Sequence, residues 1–240
     1  RAISQTKMTI SQRALVHDVA VDVVCTGRFY DFFEKRDGRW RFAIAGRPFA
    51  AGHAEVPAER VIFEIGSISK VFTGILLADA VRAGQLGLDD TLAARLPVQF
   101  RHAATGSVTL RQLANHTSCL PRLPDNLMNA AGADPYARYD EKAMFEYLAV
   151  AKLDGQPPCA PEYSNFAFGV LGVVLEKARG KPWAALVQEK IAGPLGMVDT
   201  VQELTPAQRA RFAEPWSEEK RAEPWTFMAI AGAGAEGVSQ

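Results

Sequence analysis

The chain has 240 residues, 48% of them hydrophobic and 22% charged, which is the composition of a globular protein with a substantial core and excludes disorder as its main state. Its 27 basic and 27 acidic side chains cancel, and no stretch concentrates lysine and arginine among aromatic residues, so nucleic acid is not expected as a partner. The longest apolar runs, such as 166–175, are too short to cross a bilayer, and we expect no membrane span.

The first predicted element is a β-hairpin. Residues 28–35 and 39–45 are rich in aromatic and apolar side chains, and they flank an Asp-Gly pair of the kind that favours a tight turn. A shorter strand-like run follows at 61–65 and stops at a glycine. The sheet strands are therefore expected within residues 28–65.

A helix is predicted directly after Gly66. The apolar spacing fits one helical face, with further apolar neighbours around it, at Ile68, Val71, Phe72, Ile75 and Leu76. This pattern predicts a helix buried on most sides, as expected at the centre of a domain. We interpret residues 67–240 as a mainly helical region that belongs to the same single domain as the strands.

Further helices are predicted downstream. Apolar periodicity places two of them at 143–152 and 166–178. Thr109 and Thr205 each precede a glutamine by three residues, which is the spacing of a capping box and marks two helix starts. The segment 121–139 carries two prolines and little periodicity, so an irregular loop is expected there.

A serine followed three residues later by a lysine can carry chemistry, because on a helix the amine lies close enough to take the hydroxyl proton. The pair occurs three times, as Ser4/Lys7, Ser67/Lys70 and Ser217/Lys220. We interpret the first as a frayed terminus and the third as solvated charged surface.

Ser67 differs from the other two serines because a strand and a glycine precede it and the buried helix begins there. A helix N-terminus favours negative charge that develops on the serine oxygen, and burial lowers the pKa of a lysine toward that of a general base. We therefore favour Ser67 as a nucleophile and Lys70 as its base. The alternative is that Ser67 only caps the helix.

A second candidate element is the tripeptide Tyr163-Ser164-Asn165, which enters the helix at 166–178. A tyrosine phenol beside a lysine can act as a base or an acid, and an asparagine amide can both donate to and accept from an amide substrate. The alternative is a simple helix entry with Asn165 as the cap.

Four segments, in this order, are similar to motifs of a known family. They are 63–74 (FEIGSISKVFTG), 110–121 (LRQLANHTSCLP), 163–165 (YSN) and 193–197 (GPLGM). Together they resemble the serine β-lactamase and penicillin-binding-protein superfamily, in its class C β-lactamase, DD-peptidase and esterase branch. The resemblance implies an α/β (α+β) fold, with an antiparallel sheet flanked by helices and a helical region that carries the active-site loops.

The resemblance also implies roles for single residues. Ser67 would be the acylated nucleophile and its backbone N–H an oxyanion donor, while Lys70 and Tyr163 would share proton transfer and Asn165 would contact the substrate amide. His116 is expected to be a structural residue and not a catalytic one. We expect no metal or cofactor, since the cysteines and histidines lack metal-binding spacings.

The chain departs from the family pattern after Tyr163. The third motif of the family, a Lys-Thr-Gly or His-x-Gly triplet on a sheet strand, is not found before Gln240, so the chain is expected to lack the C-terminal strands. Its ending also matches G-x-G-x-x-G at Gly232, Gly234 and Gly237. Nucleotide binding is not favoured, because that motif requires a following helix and an acidic residue about 20 positions later.

The predicted function is that of a serine hydrolase that forms an acyl-enzyme with β-lactams or D-Ala-D-Ala peptides. The alternatives are a short-chain carboxylesterase on the same fold and a penicillin-binding sensor that is acylated but does not turn over. The small-molecule partners are thus a β-lactam, a peptidoglycan peptide or an ester.

A disulfide between Cys119 and Cys159 is expected, since both stand where the resembled family usually has glycine, in loops that border one active site. Cys25 is expected to stay free. The bridge would favour an oxidising compartment, and we expect the protein to be periplasmic or secreted, although charged side chains interrupt the first 25 residues and leave no signal-peptide core.

Overall fold

The structure is a computed structural model that describes residues 2–16, 19–36, 39–43, 60–128, 134, 136–213, 216–217, 220–221 and 232. The chain divides into two compact units, 1–56 and 57–240. The first unit contains a three-stranded sheet, and the second contains the helices and the candidate site.

The sheet of the first unit is antiparallel, in the order β1 (Ala2–Val16), β2 (Val19–Arg36) and β3 (Arg39–Ala43). Strands β2 and β3 pair up to Arg36 opposite Arg39, which confirms the predicted hairpin. Strand β2 begins nine residues earlier than predicted, because it also pairs along its length with β1.

Strand β1 corrects the interpretation of the first Ser-x-x-Lys pair. Ser4 lies opposite Asp31 and Lys7 opposite Arg28, so the predicted frayed terminus is instead paired strand. The long partner strand pairs with those backbone groups of residues 2–16 that face it, which a terminus without a partner leaves to water. Extended backbone also removes the helical spacing on which the pair depends for chemistry.

The second unit is built from short helices around two longer ones. In chain order they are α1 (Ser69–Arg82), α2 (Leu92–Arg95), α3 (Ala103–Gly106), α4 (Leu110–Ala114), α5 (Asp125–Met128), a 3₁₀ turn (Tyr136–Arg138), α6 (Glu141–Val150), α7 (Asn165–Arg179), α8 (Trp183–Val187) with a π turn (Gln188–Ala192), and α9 (Pro206–Arg209). Two short strands of two residues each, β4 (Trp216–Ser217) and β5 (Lys220–Arg221), pair in antiparallel orientation.

Most of the predicted helix boundaries agree with the structure. Both capping boxes are formed, at Thr109 and at Thr205. The helices predicted at 143–152 and 166–178 occur as α6 and α7. The loop predicted at 121–139 is only partly irregular, since it contains α5 and the 3₁₀ turn.

Helix α7 forms the centre of the core, because all ten residues from Phe166 to Leu175 are buried. Helix α1 packs on it. The Thr73 hydroxyl of α1 accepts from Trp183 Nε1 of α8 at 3.0 Å and donates to the Gly232 carbonyl at 2.6 Å. A Cβ at Gly232 would lie 2.7 Å from the Phe168 carbonyl oxygen. Glycine at this position therefore has a packing function.

The prediction that α1 is buried on most sides is wrong. Its buried face carries Ser69, Lys70, Thr73, Leu76, Leu77 and Ala80. The apolar stripe that suggested burial is largely solvent-exposed, with Ile68 at 59%, Val71 at 59% and Ile75 at 45%. The helix is apolar on several sides, so periodicity alone could not show which side faces α7.

The run at 61–65 forms an isolated β-bridge and not a continuous strand. Ile62 bridges to Phe212 in parallel, through bonds from Ile62 N–H to the Arg211 carbonyl at 2.9 Å and from Ala213 N–H to the Ile62 carbonyl at 2.7 Å. An ion pair between Arg211 and Asp199 holds the partner segment in place. The chain just before Ser67 is thereby fixed.

Among the described residues, no helix is both long enough and apolar enough to cross a membrane.

Candidate active site

Ser67 lies in a tight turn that leads into α1. Gly66 has a φ of +49°, which glycine adopts without steric cost, and i to i+3 bonds run from Ser69 N–H to the Gly66 carbonyl and from Lys70 N–H to the Ser67 carbonyl. Ser67 is exposed, and its N–H has no hydrogen-bond partner among the described residues. This N–H is therefore available to a bound oxyanion.

The Ser67 hydroxyl does not cap the helix. Helix α1 has Ile68 at its N-cap and no side-chain capping bond. The Ser67 Oγ instead accepts from Lys70 Nζ at 3.1 Å and from the Tyr163 hydroxyl at 2.7 Å. The alternative interpretation of Ser67 as a cap is therefore wrong.

The Lys70 side chain is buried next to Ser67. Its Nζ also donates to Asn165 Oδ1 at 2.8 Å and lies 4.7 Å from the centre of the Tyr163 ring. Burial lowers the pKa of Lys70 below its ordinary value, while the contact with Tyr163 acts in the opposite direction. An amine with a lowered pKa holds a larger neutral fraction near neutral pH, and the neutral form can accept a proton.

Tyr163 and Asn165 reach the site because the chain changes from extended to helical between them. Ser164 is the N-cap of α7, and its Oγ accepts from Ala167 N–H at 2.9 Å and donates to the Pro121 carbonyl at 2.6 Å. Asn165 is the first helical residue, so the interpretation of Asn165 as the cap is wrong. Its amide is left to bind Lys70.

A disulfide joins the two loops that border this site. Cys119 and Cys159 are bonded, with their Cα atoms 5.5 Å apart, which is the pairing expected from the sequence. Cys159 N–H also donates to the Thr117 carbonyl at 2.9 Å. The side chain of Cys25 lies outside the described residues.

Sequence reasoning missed Arg122. Its carbonyl accepts from the N–H groups of Asn165 and Phe166 at 3.1 and 3.2 Å, and its guanidinium lies 5.4 Å from the centre of the Tyr163 ring. The carbonyl thus helps to anchor the start of α7. No local signal predicts this contact, because it depends on how two loops about 40 residues apart are paired.

The remaining predicted residues lie elsewhere. Ser217 and Lys220 face each other across the β4–β5 hairpin and not along a helix. Gly232 is buried against α7, and Gly234 and Gly237 lie outside the described residues. The structure thus brings Ser67, Lys70, Tyr163 and Asn165 together, with the Ser67 hydroxyl in contact with two groups that can exchange protons.

Most of this chain is similar to a known protein family. The family model described as Beta-lactamase matches residues 36–240. The chain belongs to the beta-lactamase family. The resemblance inferred from the four sequence segments is therefore confirmed.

Two curated proteins illustrate the range of relatives. The D-alanyl-D-alanine-carboxypeptidase/endopeptidase AmpH of Escherichia coli (strain K12) is 34% identical over 153 residues, covering 63% of this chain and 39% of AmpH. Esterase EstB of Burkholderia gladioli is 32% identical over 185 residues, covering 72% of this chain and 44% of EstB. The chain spans less than half the length of these relatives.

Solved beta-lactamase structures share the fold. A class C beta lactamase from Rhodobacter sphaeroides superposes with a TM-score of 0.66 at 26% identity, covering 85% of this chain and 55% of that one. A beta-lactamase/D-alanine carboxypeptidase from Yersinia pestis gives a TM-score of 0.68 at 23% identity, covering 99% and 59%. The predicted fold class is confirmed.

Proposed function

We propose that this protein is a serine hydrolase in which Ser67 forms an acyl-enzyme with β-lactams or D-alanyl-D-alanine peptides. The observation that carries the proposal is the convergence of Lys70 Nζ and the Tyr163 hydroxyl on Ser67 Oγ, at 3.1 and 2.7 Å. A nucleophile within hydrogen-bond reach of its base is the arrangement that covalent catalysis requires.

Proton transfer and bond making follow from these contacts. Ser67 Oγ attacks the carbonyl carbon while its proton passes to the neutral amine of Lys70, with the Tyr163 hydroxyl beside it as a second proton carrier. The negative charge moves to the carbonyl oxygen, where the free N–H of Ser67 would donate to it. The carbon–nitrogen bond then breaks, the nitrogen takes up a proton from the same two groups, and water later releases the acyl group and restores Ser67.

Asn165 has two functions in this proposal. Its Oδ1 accepts from Lys70, which holds the amine beside the serine. Its Nδ2 remains a donor that can bind the carbonyl oxygen of a substrate amide. The name of AmpH, a carboxypeptidase and endopeptidase acting on D-alanyl-D-alanine, supports a peptide substrate.

The second candidate function is a short-chain carboxylesterase. Its support is the similarity to esterase EstB, which covers a larger share of this chain than AmpH does. Ester and amide hydrolysis use the same nucleophile, so the site geometry is compatible with both.

We infer a periplasmic or secreted location. The support is the Cys119–Cys159 disulfide, since such bonds persist in oxidising compartments.

The test uses the full-length protein. Turnover of a chromogenic cephalosporin, a D-Ala-D-Ala peptide and p-nitrophenyl butyrate is measured side by side, together with covalent labelling by a labelled penicillin. We expect labelling in the wild type and in Ser217→Ala, a control that removes the serine of another Ser-x-x-Lys pair, and none in Ser67→Ala. Label that persists in Ser67→Ala would refute the proposal, and a burst of label without turnover would indicate a sensor.

A further inference from the structure

His116 contacts Tyr163 and both of its neighbours in the chain. The His116 carbonyl accepts from Glu162 N–H at 2.9 Å, and its Nδ1 accepts from Ser164 N–H at 3.1 Å. Its ring lies 4.8 Å, centre to centre, from the ring of Tyr163. Both chain neighbours of Tyr163 and its own ring are therefore held by one residue.

The ring of His116 is itself fixed in place. It packs against Phe168 of α7 at 5.0 Å, and the backbone of His116 has a φ of +63°. Cys119 has a φ of +60°, so two non-glycine residues within one turn adopt the left-handed conformation. Such a conformation persists only where surrounding contacts enforce it, and here those contacts lead to the Tyr163 loop.

The bond to Ser164 requires a neutral imidazole. A ring nitrogen that accepts from an N–H carries no proton, so the proton of His116 is on Nε2. Among the described residues, the titratable groups that face the ring are Lys70 of α1 and the phenol of Tyr163, and α7 contributes the apolar Phe168. Burial, and after it the charge of Lys70, lower the pKa of His116 below its ordinary value.

We propose that His116 is a positioning residue for Tyr163, and that protonation of its ring releases the Tyr163 loop and slows acylation of Ser67. This inference rests on the proposed function. A protonated Nδ1 would direct an N–H at the N–H of Ser164, so the two groups must separate. Because the Tyr163 hydroxyl reaches Ser67 over only 2.7 Å, a small movement of the loop breaks the contact.

His116→Asn is the variant that separates positioning from mere structure. An asparagine oxygen can take the place of Nδ1 as acceptor, and asparagine tolerates a positive φ, yet it does not titrate. His116→Ala removes the acceptor and the ring. We expect His116→Asn to stay within a few-fold of wild type at pH 8, and His116→Ala to lose about 100-fold, the loss expected for a displacement near 1 Å.

The readout is the rate of Ser67 acylation by a labelled penicillin between pH 4 and 8, in the full-length protein. Protonation of Lys70 lowers the acylation rate at low pH in every variant. Protonation of His116 lowers it further in the wild type. The logarithm of the rate should therefore fall with a slope approaching 2 over about two pH units in wild type, before the slope returns to about 1, and with a slope of about 1 throughout in His116→Asn. Tyr163→Phe, which leaves His116 unchanged, should also show a slope of about 1, because no hydroxyl remains to be positioned.

Three outcomes overturn the inference. Identical acid limbs in wild type and His116→Asn would show that the ring does not act through protonation. Equal losses in the asparagine and alanine variants would show that the acceptor does not matter. A wild type that is not labelled at Ser67 would refute the proposed function as well, so the two failures are distinguishable.

Discussion

Removal of the Cys119–Cys159 disulfide should destabilise the fold by an amount that can be calculated from the chain. The bond spans 40 residues of sequence. In the chain-entropy model, the closure of such a loop in the unfolded state contributes about 4 kcal/mol at 25 °C. The variant Cys119→Ala/Cys159→Ala should lose this amount.

The choice of replacement at position 119 adds a second test. Cys119 has a φ of +60°, which costs alanine about 1–2 kcal/mol and glycine almost nothing. Glycine also has a larger chain entropy in the unfolded state, which reduces the advantage of glycine over alanine by about 0.5–1 kcal/mol. Cys119→Gly/Cys159→Ala should therefore be more stable than the double alanine variant by about 0.5–1 kcal/mol.

The assay is urea denaturation followed by circular dichroism, with the wild type measured in both oxidised and reduced form. Reduction cuts the bond without changing a residue, so the reduced wild type should be destabilised to a similar extent. A double alanine variant within about 1 kcal/mol of the oxidised wild type would refute the loop-closure argument. The reverse order of the glycine and alanine variants would refute the argument from backbone conformation.

The remaining predictions concern single contacts. Lys70→Ala and Tyr163→Phe should each reduce kcat about 100-fold or more with little change in KM, and their effects should not add, because both groups serve one proton transfer; a raised KM with kcat intact would contradict the assignment. Gly232→Ala should destabilise by about 1–3 kcal/mol, since its Cβ would lie 2.7 Å from a backbone oxygen of α7. Gly74→Ala, where no atom lies within 4 Å of the added Cβ, should stabilise α1 by about 0.5–1 kcal/mol. If the urea midpoints of the Gly232→Ala and Gly74→Ala variants shifted in the same direction, this packing argument would be refuted. Ser164→Ala should lose about 1–3 kcal/mol through its cap and its bond to the Pro121 carbonyl, and an unchanged midpoint would show that both are dispensable.

The local part of the site was predictable from sequence. Ser67 and Lys70 lie three residues apart, and the turn of a helix brings such residues together without help from the rest of the chain. Tyr163 and Asn165 are almost 100 residues away from them. Only the resemblance to a family linked the two parts, since no periodicity expresses a contact of that range.

The sequence could not show which of two neighbouring residues takes a given role, because their tertiary partners decide it. Ser164 and Asn165 are both good helix caps by composition. The Pro121 carbonyl binds the first and Lys70 binds the second, and these partners assign the two functions. The orientation of α1 was missed for a similar reason, because several of its faces are apolar and its packing on α7 and α8 determines which one is buried.

The switch from extended to helical backbone at Ser164 also constrains how this loop can vary in length. Tyr163 is oriented by extended chain, whereas the direction of the Asn165 amide depends on its place around the α7 axis, where each residue turns by about 100°. One residue inserted between them would leave the phenol beside Ser67 and rotate the amide away from Lys70. Length changes between 163 and 165 are therefore incompatible with the site, so the three residues behave as one indivisible unit.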